Sequence, residues 1–158
     1  MATNSTSAWT VAGFAAALQL ALIVAAFGLV SLFADVEPIS DPAAGRLVGP
    51  ITVGVSVFAL LLLLGGALTR GIRPWSAAGL ALVVTWAAGV VGAAIAYAVS
   101  TGTLLAAAIF AASFMTIGFG VIIPITGALV ALLAAVTVRA ERGGVDRPRW
   151  PWERDDEE

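Results

Sequence analysis

The chain contains no cysteine and no histidine. It also contains no lysine; all eight basic residues are arginine. Without cysteine there is no disulfide, no thiolate nucleophile and no thiolate metal site. Without histidine the commonest acid/base and metal ligand at neutral pH is missing. Without lysine there is neither a Schiff base nor the cation of a phosphate-binding loop. Charge is scarce too, at 11% of residues, where a soluble domain carries about 25%. The arginine bias, together with abundant Ala, Gly and Val, fits a GC-rich bacterial gene.

What the sequence has instead is apolar length. Of 158 residues, 60% are hydrophobic, and the mean hydropathy is +1.01. These values exclude an ordinary soluble globule, a disordered chain and a disulfide-stapled module. They predict an all-α polytopic membrane protein, a four-helix transmembrane bundle, with a non-spanning or kinked segment before the last span.

The spans read in order. Residues 1–8 form a short polar N-terminal tail without charge. Trp9–Ala34 is the first span; it lacks the basic flank and the short apolar core of a signal peptide. Asp35, Glu37 and Asp41, with Pro38 and Pro42, mark a loop. Their spacing is not that of a calcium loop, and they read as a solvated acidic segment. Ile51–Leu68 is the second span. Thr69–Pro74 is a tight turn, with Pro74 opening the third span, Trp75–Val99.

The last apolar stretch, Leu104–Val138, runs 35 residues without a charge. As one helix it would be about 52 Å long, against a hydrocarbon core of about 30 Å. A break near Gly118, Phe119 and Gly120 is therefore predicted. It leaves residues 104–117 as a partly buried helix or a steep extension on the outer side. The last span is then 119–138, kinked by Pro124. The membrane domain covers 9–138, followed by a tail over 139–158 rich in Arg, Trp and terminal acids. No internal repeat is present.

Arg70, Arg73 and the five tail arginines fall on one side of a four-span layout, and Arg46 alone on the other. By the positive-inside rule both termini are cytoplasmic. Trp9, Trp75 and Tyr97 sit at span ends, as interfacial aromatics do.

No Asp, Glu, Lys, Arg or His lies within a span. Such groups cost about 2.5–3.5 kcal/mol each at a helix centre and mark ion or proton pathways. Their absence argues against a proton-coupled carrier, a pump relay and a voltage sensor. Gln19, Thr85 and Trp86 lie about 15 Å from the cytoplasmic boundary, and Ser56 and Thr126 fall nearby, about a turn further out. They predict one polar layer near the midplane, serving as interhelical hydrogen bonds or as a pocket or constriction. In the first case Gln19→Leu lowers bundle stability. Gly118, Gly120 and Pro124 form the candidate helix break, read either as a bent helix whose freed groups are satisfied by Thr116 and Thr126 or as freed backbone carbonyls of the kind found in discontinuous transporter helices. Small residues at fourfold spacing, such as Ala88 and Gly92, allow close helix approach. In the tail, Arg147, Arg149, Trp150 and Trp152 suit an anionic membrane surface or a partner contact.

The Trp-led first span, the loop ending Gly45-Arg46-Leu47-Val48-Gly49-Pro50 and the Arg/Trp tail resemble an uncharacterised family of small four-span membrane proteins of actinobacteria. The resemblance implies a bacterial inner-membrane location and transfers no functional residue. The expected function is that of a non-catalytic integral membrane protein, a structural or accessory subunit. The alternative is a passive channel or facilitator for a small neutral solute. Expected partners are the lipid bilayer and a membrane-protein partner or a second copy of the chain. No catalytic, metal or cofactor residue and no nucleic-acid motif is found, and no cofactor is expected.

Overall fold

The structure is a computed structural model that describes residues 3–35, 37, 39, 41–117 and 119–142. Its elements are α1 (Thr3–Ala34), α2 (Val48–Thr69), α3 (Pro74–Thr101), α4 (Leu104–Ile117), a 3-10 turn (Phe119–Val121) and α5 (Ile122–Arg142). Among the described residues there is no strand. Four helical segments are long and apolar enough to cross a membrane: Thr6–Ala34, Val48–Thr69, Pro74–Thr101 and Phe119–Glu141. The 22 residues of α2 rise about 33 Å, close to the thickness of a hydrocarbon core.

Local chemistry sets the helix ends. Pro74 opens α3 after an extended Arg73 (φ −66°, ψ 139°), where a missing N–H costs no intrahelical bond. Gly102 closes α3 in the left-handed conformation (φ 72°), its N–H donating to the Ala98 carbonyl at 2.8 Å. That conformation is routine for glycine and costly for a side chain. After α2, the N–H groups of Arg70 and Ile72 both donate to the Ala67 carbonyl, and that of Gly71 to Leu68. The orphan carbonyls of the last turn are thereby satisfied.

One boundary differs from the sequence expectation: residues 3–8 continue α1 rather than forming a separate tail, and Ala8 joins the buried cluster. The break in the last apolar stretch falls where the sequence predicts it, in the 3-10 turn Phe119–Val121. Pro124 is the third residue of α5, and in that first turn its absent N–H costs no intrahelical bond.

Buried residues on α2 recur every fourth position: Val48, Thr52, Ser56, Leu60, Leu64 and Leu68. On α3 the corresponding row is Ala77, Ala81, Thr85, Gly89, Ala93 and Tyr97. Fourfold spacing makes one slanted ridge per helix. The α3 ridge is built mostly of small residues, so the larger α2 side chains fit against its backbone. Outward faces are also apolar, including Phe14, Leu32, Phe33, Leu104 and Ile117. Helices apolar on every side suit a bilayer as solvent.

One apolar cluster joins Ala8 and Ala12 of α1, Leu64 and Leu68 of α2, Ala77 and Ala81 of α3, and Ala131, Ala135 and Val138 of α5. The start of α1 and the end of α5 therefore lie at the same end of the bundle, beside the α2–α3 turn. A second cluster, at the opposite end, joins Ala44, Val48, Ala96, Tyr97 and Ala107.

Between these ends α4 and α5 share the length of α3. Ala107 and Phe110 of α4 pack on Ala96 and Tyr97, with the Phe110 and Tyr97 rings stacked at 4.5 Å. Met115, near the end of α4, reaches Gly89 halfway down α3. From there α5 takes over, with Gly127 against Thr85 and Ala131 and Ala135 in the cluster with Ala81 and Ala77.

Candidate functional site: a polar layer and a helix break

Five polar side chains are buried among the described residues: Gln19, Thr52, Ser56, Thr85 and Thr126. They come from α1, α2, α3 and α5, and none is ionisable. Of the residues expected in a midplane layer, Gln19, Ser56, Thr85 and Thr126 are inside the bundle. Trp86 is not: it is 38% exposed and lies on the outer face of α3. One residue beyond Thr85, it is rotated about 100° off the buried ridge, so matching depth did not bring it into the layer.

The hydroxyls turn back onto backbone carbonyls. Thr85 Oγ1 donates to the Ala81 carbonyl at 2.7 Å, and Thr52 Oγ1 to that of Val48 at 2.7 Å. Thr126 Oγ1 is within reach of the Ile122 and Ile123 carbonyls at 2.9 and 3.0 Å. Ser56 Oγ donates to the Thr52 carbonyl at 2.9 Å and also meets the Thr85 carbonyl at 3.2 Å, tying α2 to α3. Bonds of this kind hide a hydroxyl within its own helix and let neighbouring backbones approach.

Gln19 is the exception. Its Nε2 reaches across to the Ile123 carbonyl at 3.4 Å, a long contact. Its Oε1 is buried without a hydrogen-bond partner. The Ile123 carbonyl fixes which way the amide faces, because the reverse orientation would set two acceptors together.

Two glycines close the layer. A Cβ on Gly127 would lie 3.0 Å from both Gln19 Nε2 and Thr85 Oγ1. One on Gly89 would lie 3.0 Å from Ser56 Oγ and 2.5 Å from Met115 Cε. Sequence reasoning passed over Thr52, which was legible as the residue four before Ser56 on one ridge. Gly127 was legible from its spacing after Gly120 and Pro124 as a small packing residue, but not its place against Gln19 and Thr85.

The helix break lies directly above this layer. Gly120 is buried, and a Cβ there would come within 2.5 Å of the Phe114 carbonyl oxygen and 2.8 Å of Met115 Cα. The chain thus folds back tightly on the end of α4. Phe119 meets Phe27 of α1 edge-on at 5.5 Å. Gly118, the third expected member of the break with Gly120 and Pro124, lies outside the described residues. So do the tail residues Arg147, Arg149, Trp150 and Trp152.

At the far end the acidic loop is not simply solvated. The Tyr97 hydroxyl donates to Asp41 Oδ2 at 2.8 Å, and the Ala43 N–H donates to Asp41 Oδ1 at 2.9 Å. One carboxylate therefore ties the α1–α2 loop to α3. Among the described residues no group of three His, Cys, Asp or Glu is placed to hold a metal ion.

A family of unknown function, DUF6121, matches residues 1–158. The chain belongs to that family. No curated protein and no solved structure matches it. For this DUF6121 member, what the layer can do must be argued from its own residues. A layer of hydroxyls and one amide can hold helices together or coordinate a neutral polar guest. It carries no group that exchanges protons near neutral pH.

Proposed function

We propose that this chain is a small, non-catalytic, multi-pass protein of the bacterial cytoplasmic membrane, with both termini in the cytoplasm. In this reading it serves as a structural or accessory subunit, acting through helix packing and its Arg/Trp tail. One observation carries it. The buried polar groups are nearly all consumed by backbone carbonyls, and Gly89 and Gly127 are pressed onto them. Such an interior favours holding a bundle together over moving something through it. The apolar exterior then faces lipid and a membrane partner. The arginines at the end of the bundle shared by the start of α1 and the end of α5 supply the orientation by the positive-inside rule.

One observation favours a second reading, a passive facilitator for a small neutral solute. Gln19 Oε1 is an unpaired acceptor beside a helix break, and broken helices line solute sites in transporters. Mass determination of the gently solubilised native complex separates the two. A hetero-complex heavier than multiples of the 16.0 kDa chain is the expected result. A monomer or homo-oligomer that passes solute in liposomes, and is blocked by large residues at Ser56 or Thr126, overturns it.

A further inference from the structure

At the arginine-rich end of the bundle a cleft of about 320 Å³ opens between the α2–α3 turn and the last turns of α5. Its walls are Leu68, Ile72, Ala135 and Val138, and its rim carries Arg73 and Arg139. The two guanidinium groups come from different elements, one just before α3 and one near the end of α5. Neither has an ion-pair or hydrogen-bond partner among the described residues. Glu141, the acid nearest to Arg139 along α5, forms no ion pair with either of them.

We propose that this cleft holds an anionic phospholipid, its phosphate between Arg73 and Arg139 and the start of its acyl chain against Ile72, the partly exposed residue of the apolar wall. The inference rests on the membrane reading above. Three features select the ligand. Arginine presents a planar fork of donors that matches phosphate oxygens, and its charge is permanent. Two arginines over an apolar wall reproduce the order of a lipid, charge outside and hydrocarbon inside. The cleft also lies where the helices emerge, with Val138 the last apolar residue of α5 before Arg139, which is the depth of a headgroup. Basic pockets between helices on the cytoplasmic side bind such headgroups.

Native mass spectrometry of the full chain, titrated with phosphatidylglycerol and phosphatidylcholine, tests this. Phosphatidylglycerol should be retained preferentially. The double variant Arg73→Gln/Arg139→Gln should weaken that retention on the order of thirtyfold, and Arg46→Gln, at the opposite end, should leave it unchanged. If the double variant does not fold, each single variant should still lose on the order of fivefold. Equal retention of the two lipids, or an equal loss in Arg46→Gln, overturns the site. Displacement of the lipid by inorganic phosphate at matching concentration overturns a lipid source in favour of a soluble phosphate. The chain's own acidic end is the rival occupant. Phosphatidylglycerol binding seen only after Asp155, Asp156, Glu157 and Glu158 are changed to their amides would assign the cleft to that segment. Carbonate extraction of membranes keeps the two readings apart. A chain that resists extraction but shows no lipid preference refutes the cleft alone, whereas one released by carbonate refutes the membrane reading as well.

Discussion

At the scale of single residues, Gln19 is the informative one. A glutamine in an apolar span reads naturally as interhelical glue, and on that reading Gln19→Leu destabilises the bundle. The geometry reverses the expected sign. Its one cross-helix contact, at 3.4 Å, is longer than the usual 2.9–3.0 Å of an N–H···O bond. Bonds of this class average about 0.6 kcal/mol in membranes. Against that stands a buried acceptor without a partner, which costs roughly 1–3 kcal/mol. Leucine, of similar size, removes both terms. Equilibrium unfolding in mixed micelles should therefore find Gln19→Leu at least as stable as the parent. A loss beyond about 1 kcal/mol would mean that Oε1 has a partner after all. Depth along the helix was readable from the sequence, and it brought Gln19, Ser56, Thr85 and Thr126 to one level. Facing was not, which is why Trp86 shares that level but points outward. Depth follows from counting residues from a span end, whereas facing depends on the rotation that neighbouring helices impose.

At the scale of elements, prolines and glycines divide the labour. Pro50, Pro74 and Pro124 each fall in the first turn of a helix, where a proline begins a helix and does not bend it. The sequence announced a break in the last apolar stretch because 35 uncharged residues exceed one span. It also placed that break at Gly118–Gly120; it did not reveal why Gly120 must be glycine, because the deciding contact is with the backbone of another helix. Gly120→Ala would drive a Cβ against the Phe114 carbonyl and Met115 Cα, neither of which can swing aside. Overpacking of this kind costs about 1–3 kcal/mol. Thermal unfolding should register that loss for Gly120→Ala. Gly54→Ala, which meets nothing within 4 Å, should stay within about 0.5 kcal/mol of the parent. The loop tie is tested in the same register. Tyr97→Phe keeps the stacking on Phe110 and deletes only the bond to Asp41. Hydrogen exchange at the Ala43–Leu47 amides should then quicken, by about 1 kcal/mol of lost protection. Unchanged exchange would show that the apolar contacts of Ala44 and Val48 hold the loop by themselves.

At the scale of the whole molecule, the proposed membrane reading is tested by which side of a bilayer each end faces. The fold settles half of that question by geometry. The start of α1, the α2–α3 turn and the end of α5 converge on one apolar cluster, so they share a side whichever side it is. The acidic loop with Asp41 and the α3–α4 turn at Gly102 lie at the other end. In the proposed reading, charge supplies the other half. Arg70, Arg73 and Arg139 belong to the first end and Arg46 to the second, and arginine in short flanking segments is retained in the cytoplasm. The lack of cysteine, which excludes so much chemistry, makes this directly measurable, since any introduced thiol is the sole target of a maleimide. Ser7→Cys and Arg70→Cys should be shielded from a membrane-impermeant maleimide in intact cells and react once the cells are opened. Gly45→Cys and Thr103→Cys should react in intact cells. A fully inverted pattern would keep the fold and overturn the orientation. If Ser7→Cys and Arg70→Cys fell on opposite sides, the two ends could not belong to one bundle inserted as a unit, and the packing of Ala8 and Ala12 against Ala77 and Ala81 would fail with it.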